Sequence, residues 1–127
     1  MERQAIATEN APQAIGPYSQ AMKVDNMLFT SGQIPLDPAT GKLVEGDIQA
    51  QARRVFDNLK SIIEAAGFKM SDVIKATVFL KDINNFKAVN EVYATYFSQP
   101  FPARSAFQVA ALPLGAELEI EVIAAKS

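Results

Sequence analysis

Two segments of the chain place apolar residues at the three- and four-residue intervals of an amphipathic helix. In the first, these residues run through positions 48–66, directly after Asp47, and Gly67 ends the pattern. Aspartate is a favoured N-cap residue and glycine a common helix terminator, so the pattern predicts a helix over this range. The second apolar series follows Asp82 and stops before Pro100, which predicts a second helix capped by Asp82.

Short runs rich in β-branched and aromatic residues predict the strands. The pair Asp25-Asn26 separates two such runs, and both residues tolerate the backbone of a tight hairpin turn. The segment 35–42 contains two prolines and a glycine, so it is predicted to be a loop. All strands except the last are predicted at residues 3–8, 18–24, 27–31, 73–80 and 104–110.

The last strand alternates between glutamates on one face and apolar residues on the other, in the series Glu117-Leu118-Glu119-Ile120-Glu121-Val122. The resulting order β-β-β-α-β-α-β-β predicts an α+β fold, a mixed β-sheet with two helices on one face. The other face carries Met22, Phe29 and Phe79, which favours coverage by another subunit over exposure to water. A chain of 127 residues fits one domain, which we expect to span residues 1–127.

Charge and hydropathy argue against several classes of function. Twelve Lys and Arg against fourteen Asp and Glu give a formal charge of −2, and the basic residues are scattered. This distribution argues against a nucleic-acid partner, which requires a concentrated positive field. No apolar run is long enough to span a membrane, and the N-terminus lacks the apolar core of a secretory signal. We therefore expect a cytoplasmic protein without membrane contact.

The chain contains no cysteine and no histidine. This composition excludes disulfides, thiolate nucleophiles and zinc–thiolate sites, and it removes the most common metal ligand and neutral-pH proton carrier. A metal site is therefore not expected. Any chemistry must come from carboxylates, hydroxyls, Lys, Arg, backbone groups and water. With Arg104 as the candidate anchor, a small carboxylate-bearing molecule is the expected ligand.

Arg104 and Glu119 are the candidates for catalysis. Arg104 follows a rigid Phe101-Pro102-Ala103 turn and could hold a carboxylate with two hydrogen bonds, although it could also be a surface arginine. Glu119 lies within a row of carboxylates, which raise one another's pKa when water is partly excluded, as a base near neutrality requires. The alternative for Glu119 is a solvated strand face.

Four further residues could shape a ligand site. Tyr18 and Ser31 offer hydroxyls at opposite ends of the predicted hairpin, although such hydroxyls usually satisfy local hydrogen bonds. Gly32 either lets a ligand approach the backbone or marks a bulge, and we favour the bulge. Asn90 lies on the apolar side of the second helix, where its amide must find partners, so structural pinning and ligand contact are both open.

Several motifs occur in a fixed order along nearly the whole chain. They are Ala14–Gln20, Ser31–Pro35, Lys75–Phe79, Asn90–Tyr93, Pro102–Ser105 and Glu119–Val122. Together they resemble the RidA (YjgF) family of enamine/imine deaminases. The most specific part is Pro-Ala-Arg-Ser joined to the closing pattern Val-Ala-x-Leu-Pro-x-x-x-x-x-Glu-Ile-Glu.

The resemblance implies a chorismate-mutase-like fold and a homotrimer with its sites in the clefts between subunits. It also implies a 2-iminobutanoate/2-iminopropanoate deaminase, a hydrolase that detoxifies reactive intermediates. Such an enzyme converts 2-imino and enamine acids, for example 2-aminoacrylate and 2-iminobutyrate, to 2-oxo acids and ammonia. The resemblance implies that no cofactor is needed.

The resemblance also implies roles for individual residues. Arg104 would hold the substrate carboxylate, helped by the backbone N–H of Ala106. Glu119 would position and activate water or protonate the departing nitrogen. The pocket would be shaped by Tyr18 of a neighbouring subunit, Ser31, Gly32 and Asn90.

One departure from the family and two alternatives qualify these expectations. Many family members have a cysteine where this chain has Ala106, so thiol-dependent reactivity is excluded here, whereas the backbone groups remain. The first alternative is a non-catalytic trimer that senses a 2-oxo acid or binds a protein. The second is an RNA-cleaving translation inhibitor, against which the acidic balance argues. The sequence leaves the preferred substrate side chain open.

Overall fold

The computed structural model describes residues 2–127 and confirms an α+β fold. Its two α-helices are α1 (Ile48–Ala65) and α2 (Phe86–Tyr96). Its six strands are β1 (Arg3–Ile6), β2 (Ala21–Val24), β3 (Met27–Thr30), β4 (Val73–Leu80), β5 (Ala103–Gln108) and β6 (Leu118–Ala125). No helix among the described residues is long and apolar enough to cross a membrane.

All six strands form one mixed sheet in the order β1-β2-β3-β6-β4-β5. Neighbouring strands are antiparallel except β4 and β5, which run parallel because the crossover between them contains α2. The last strand, β6, therefore lies inside the sheet, between β3 and β4. This order places Glu119 within the sheet, whereas Arg104 lies on the edge strand β5.

Both helices pack on one face of the sheet. Helix α1 begins as predicted, because the Asp47 carboxylate accepts a 2.8 Å hydrogen bond from the Ala50 N–H. Fully buried side chains of α1, including Phe56 and Leu59, join Ile120 of β6 in one apolar core. Each such side chain contributes about 1.5–3 kcal/mol on full burial, so packing on the sheet stabilises the helix.

The opposite face of the sheet is uncovered in one copy of the chain. The strand register places Met22, Phe29 and Phe79 on this face, as predicted, together with Phe107. Phe29 is 42% exposed and Phe107 is 44% exposed. An apolar area of this kind is typical of a surface that contacts another molecule.

The first two strands are shorter than predicted. β1 ends at Ile6 instead of residue 8, and β2 begins at Ala21 instead of residue 18. Gln20 explains the difference, because its buried side chain accepts a 2.7 Å hydrogen bond from the Thr8 N–H and donates one of 2.8 Å to the Pro12 carbonyl. A side chain thus satisfies peptide groups that a longer strand pairing would have used.

The second helix begins later than predicted. The Asp82 carboxylate accepts a 2.9 Å hydrogen bond from the Asn84 N–H, but it caps a short 3-10 turn, and α2 begins only at Phe86. The fifth strand, predicted over 104–110, lies at Ala103–Gln108. Both shifts are of the size by which the ends of helices and strands are misplaced when they are predicted from local sequence.

Candidate active site

Glu119 lies near the start of β6 on the uncovered face of the sheet, opposite Phe79 of β4. Its neighbours Leu118 and Ile120 are fully buried beneath the helices, so alternation along the strand directs Glu119 to the other face. Glu119 is half-buried. This burial raises the pKa of Glu119, and the nearby carboxylate of Glu121 raises the same pKa further. Glu119 therefore keeps its proton to a higher pH than an exposed glutamate.

The backbone at Gly32 passes directly beneath the Glu119 side chain. A Cβ atom at residue 32 would lie 2.7 Å from Glu119 Cδ and 2.9 Å from its Cγ, far inside the normal separation of non-bonded carbon atoms. The next residue, Gln33, holds this segment against β6 through two backbone hydrogen bonds with Ile120, of 2.9 and 3.1 Å. Gly32 is thus needed for space, and it also lies at a one-residue register shift of the bulge type that we favoured from the sequence, because Phe29 pairs with Ile123 whereas Gln33 pairs with Ile120.

A cavity of about 740 Å³ lies in front of Glu119. Three of the predicted substrate-binding residues line it, namely Tyr18, Ser31 and Gly32. Much of the remaining wall is apolar and includes Ile15, Ile34, Leu36, Pro113 and Leu114. No Lys or Arg of the described chain lines this cavity, so its only charged group is the Glu119 carboxylate.

Tyr18 and Ser31 meet in this cavity because an antiparallel hairpin brings its first and last residues together. The Ser31 N–H donates to the Gln20 carbonyl at 2.9 Å, and the Ser31 hydroxyl donates to the Ser19 carbonyl at 2.6 Å. The hydroxyl proton of Ser31 is therefore engaged, whereas its oxygen can still accept a hydrogen bond. The Tyr18 side chain is 51% exposed at the cavity wall. It therefore lies beside Glu119 of its own copy, whereas the family resemblance implied a Tyr18 from a neighbouring subunit.

Arg104 lies on the helix-covered side of the sheet, at its edge. One of its guanidinium nitrogens donates a 2.5 Å hydrogen bond to Asn90 Oδ1 on α2. The guanidinium carbon lies 5.0 Å from the ring centre of Phe86 and 4.8 Å from that of Tyr93. The two rings and the amide therefore hold the guanidinium at the sheet edge while other N–H donors remain available. This hydrogen bond pins Arg104 to α2, which is one of the two roles left open for Asn90.

The backbone groups of Ala106 face the free edge of the sheet. The Val109 N–H donates to the Leu80 carbonyl of β4 at 2.9 Å. Because peptide groups alternate in direction along a strand, the N–H groups of Arg104 and Ala106 point away from β4. No strand among residues 2–127 pairs with that edge. A guanidinium and free N–H groups on one edge suit a carboxylate ligand.

Arg104 and Glu119 do not share a site within one copy of the chain. Arg104 aligns with Ala76 of β4, and Ala76 aligns with Val122 of β6. Ala76 and Val122 are both buried beneath the helices, so Arg104 lies on the helix-covered side of the sheet. Glu119 instead aligns with Phe79 on the uncovered face. Accordingly, none of the predicted site residues on β5 or α2 lines the cavity in front of Glu119.

The aromatic residues that support Arg104 were not identified as site residues from the sequence. Phe86, Asn90 and Tyr93 are separated by four and three residues, so they share one face of α2. This spacing around a polar residue is the signal that could have found them. The apolar walls formed by Ile15 and Leu114 gave no comparable signal, because they come from two irregular segments.

The chain is similar to known proteins over nearly its whole length, which includes both the Glu119 cavity and the residues around Arg104. Residues 8–126 match the family model described as Endoribonuclease L-PSP. A RutC family protein of Pyrococcus horikoshii is 56% identical over 124 residues, which cover 98% of each chain. The 2-iminobutanoate/2-iminopropanoate deaminase of Escherichia coli K12 is 53% identical over 124 residues, covering 95% of this chain and 96% of that protein. The crystal structure of RidA from an Antarctic Psychrobacter matches with a TM-score of 0.93 and 50% identity, over 97% of this chain and 99% of that one.

Proposed function

Because this chain belongs to the RidA (YjgF) family, we propose that it hydrolyses reactive 2-imino and enamine acids, such as 2-aminoacrylate and 2-iminobutyrate, to 2-oxo acids and ammonia. The observation that supports the proposal most directly is the position of Glu119, whose carboxylate lies over Gly32 in a cavity with Tyr18 and Ser31. A half-buried carboxyl group with a raised pKa is suited to proton transfer near neutral pH.

The complete site requires a second copy of the chain. Glu119 and Arg104 lie on opposite faces of one sheet, so a single copy offers either the proton-transfer group or the carboxylate anchor to a given ligand. The apolar uncovered face, with Phe29 and Phe107, is the surface on which a second copy would pack. We infer a homotrimer, the assembly implied by the family resemblance, in which Arg104 of one copy meets the Glu119 cavity of its neighbour.

Arg104 and Ala106 supply the carboxylate anchor. The guanidinium donates to Asn90 and still has donors left for a ligand, and the Ala106 N–H points to the same edge. The positive charge that the Glu119 cavity lacks would thus come from the neighbouring copy. This division explains why the cavity contains a proton-transfer group and hydroxyls but no cation of its own chain.

The reaction needs one proton carrier and one water molecule. A protonated imine is already electrophilic, so water adds its oxygen to the imine carbon while Glu119 takes a water proton. Glu119 then gives this proton to the nitrogen, and the carbon–nitrogen bond breaks. The hydroxyl passes its own proton to the Glu119 carboxylate and becomes the carbonyl of the 2-oxo acid, and the departing ammonia takes that proton from Glu119 and leaves as ammonium. Orientation by the carboxylate anchor and one proton-transfer group account for the acceleration.

RNA cleavage is the competing function that the description of the family model suggests. Within one copy the Glu119 cavity carries a carboxylate and no Lys or Arg of the described chain, and the neighbouring copy would add the single guanidinium of Arg104, which is not the concentrated positive field that an RNA backbone requires. The formal charge of −2 acts in the same direction. A chain that only sensed 2-oxo acids would bind 2-oxobutyrate without turnover, so turnover separates this alternative from the proposed enzyme.

The test is ammonia release from 2-iminobutyrate that is generated enzymatically in the assay. The purified protein should accelerate release without added metal, and Arg104→Ala should lower kcat/KM by about 100-fold or more, since a charged hydrogen-bond partner is lost. Arg3→Ala, at the opposite edge of the sheet, is the matched control and should behave as the unmodified protein. Full activity of Arg104→Ala, or RNA cleavage without imine hydrolysis, would contradict the proposal.

A further inference from the structure

We propose that Leu114 selects substrates with extended apolar side chains, so that the preferred imino acids are branched, thioether or aromatic ones and not three-carbon ones. This inference rests on the proposed function and adds a specificity-determining residue to it. It comes from the backbone at Leu114 and from the wall that its side chain forms in the Glu119 cavity.

Leu114 has a backbone conformation that a leucine rarely adopts. Its φ is +57° and its ψ +19°, and the following Gly115 also has a positive φ of +71°. The Ala116 N–H donates to the Pro113 carbonyl at 3.0 Å, so these two residues are the centre of a tight turn. Two positive φ values in succession are the mark of a type I′ turn, in which Asn, Asp or Gly is the usual first central residue.

Within one copy of the chain, the leucine at this turn does not contribute to the apolar core. The Leu114 side chain is 66% exposed and is not part of the apolar core. An asparagine or glycine would form the same turn with less strain and without exposing an apolar side chain. A strained, exposed apolar residue beside a candidate active site points to a role in ligand binding.

Leu114 faces the cavity together with apolar residues from two other segments. Ile15, which is 79% exposed, and Ile34 line the same cavity as Leu114 and Glu119. The turn leads directly into β6, so Leu114 lies only five positions before Glu119 along the chain. A substrate with its imine carbon at Glu119 would thus direct its side chain along these apolar walls.

The size and chemistry of the cavity favour a large apolar substituent. In one copy of the chain, before a neighbouring copy adds Arg104, the cavity has a volume of about 740 Å³, and a three-carbon acid occupies only a small part of it. Such a small substrate would leave Leu114 and Ile15 in contact with water, whereas a branched or aromatic side chain would remove apolar surface from water on both sides. The gain in binding scales with the apolar area buried, which makes larger substituents better substrates.

The experiment compares imino acids that an L-amino acid oxidase generates from leucine, methionine and alanine, with semicarbazide trapping the imine that remains. The unmodified protein should show a kcat/KM at least about tenfold higher for the leucine-derived than for the alanine-derived imine. Leu114→Asn should reduce this ratio by about tenfold, and it should raise the melting temperature because the strain is relieved. Leu114→Met, which keeps an apolar side chain, should retain most of the preference.

Ile83→Asn is the matched control, since Ile83 is also an exposed apolar residue (43%) but does not line the cavity, and it should leave the ratio unchanged. A preference of the unmodified protein for the alanine-derived imine would overturn the inference while leaving the proposed function intact. An equal loss of both activities in Leu114→Asn, accompanied by loss of the oligomer in light scattering, would also overturn it. Absence of activity on every imine would overturn the proposed function itself.

Discussion

The Glu119 side chain lies directly over the backbone of Gly32, in the space that a Cβ atom at residue 32 would need. Gly32→Ala should therefore displace the carboxylate and lower kcat/KM by about 100-fold, the usual cost of a misplacement near 1 Å. Overpacking should also lower the free energy of unfolding by about 1–3 kcal/mol. Steady-state kinetics on 2-iminobutyrate together with urea unfolding would measure both effects.

Gly16→Ala is the control for this substitution. A Cβ atom at Gly16 would lie 3.4 Å from the Tyr18 ring, an ordinary contact, so its effect on stability should be much smaller. Gly32→Ala with undiminished activity would show that the position of the Glu119 carboxylate does not matter for turnover.

The pH dependence of activity should follow the ionisation of Glu119. Burial and the charge of Glu121 both raise the pKa of Glu119, so the acidic limb of the kcat/KM profile should lie above the range of an ordinary glutamate. Glu121→Gln removes the second cause and should move this limb to lower pH. Glu117→Gln should not move it, because Glu117 forms its ion pair with Lys81, at 3.7 Å, and is not a cause of the shift. If the acidic limb of the kcat/KM profile stays at the same pH in Glu121→Gln, a group other than Glu119 controls it.

The raised pKa of Glu119 also has a consequence for stability. Since the pKa is higher in the folded than in the unfolded chain, ionisation favours unfolding, and the free energy of unfolding falls as pH rises from the unfolded pKa through the folded one. Glu119→Gln removes this loss. Its stability relative to the unmodified protein should therefore be greater at pH 7 than at pH 4, in urea titrations at one protein concentration. If the free energy of unfolding of Glu119→Gln relative to the unmodified protein falls with increasing pH, the pKa of Glu119 is not raised by folding.

Tyr93 should contribute through its ring and not through its hydroxyl. The hydroxyl is buried without a hydrogen-bond partner among the described residues, whereas the ring stacks against the Arg104 guanidinium at 4.8 Å. Tyr93→Phe should thus keep activity and leave stability unchanged or higher by up to about 1 kcal/mol. Tyr93→Leu should raise KM severalfold, because a cation–π contact of about 0.5–2 kcal/mol no longer holds the guanidinium. An equal KM for Tyr93→Phe and Tyr93→Leu would contradict the claim that the Tyr93 ring holds the Arg104 guanidinium in place.

Local features of the fold could be predicted from the sequence because they depend on neighbouring residues. The cap at Asp47 and the alternation that directs Glu119 away from the helices were both predicted and are present in the structure. The start of α2 was not, because the Asp82 carboxylate can cap a 3-10 turn as readily as an α-helix. The start of α2 lies one turn later than predicted because it depends on packing, and packing cannot be predicted from the capping residue alone.

The arrangement of the candidate site could be predicted only in part. The residue types at 104 and 119 indicated a carboxylate anchor and a proton-transfer group. Their placement on opposite faces depends on the parallel register of β4 with β5 and on the insertion of β6 between β3 and β4, which are contacts between residues far apart in the chain. The need of Glu119 for a glycine at residue 32 is likewise a contact across the fold.

Mixed assemblies of two inactive variants test the two-copy site most directly. Arg104→Ala and Glu119→Gln chains, each inactive alone, would be unfolded and refolded together in equal amounts. If the anchor and the proton-transfer group come from different copies, about a quarter of the sites in randomly mixed trimers combine an intact Arg104 with an intact Glu119. Turnover of 2-iminobutyrate should then recover to about a quarter of the unmodified rate. Turnover that stays at the level of the two separate variants, in mixtures shown by mass spectrometry to contain both chains, would contradict a site built from two copies.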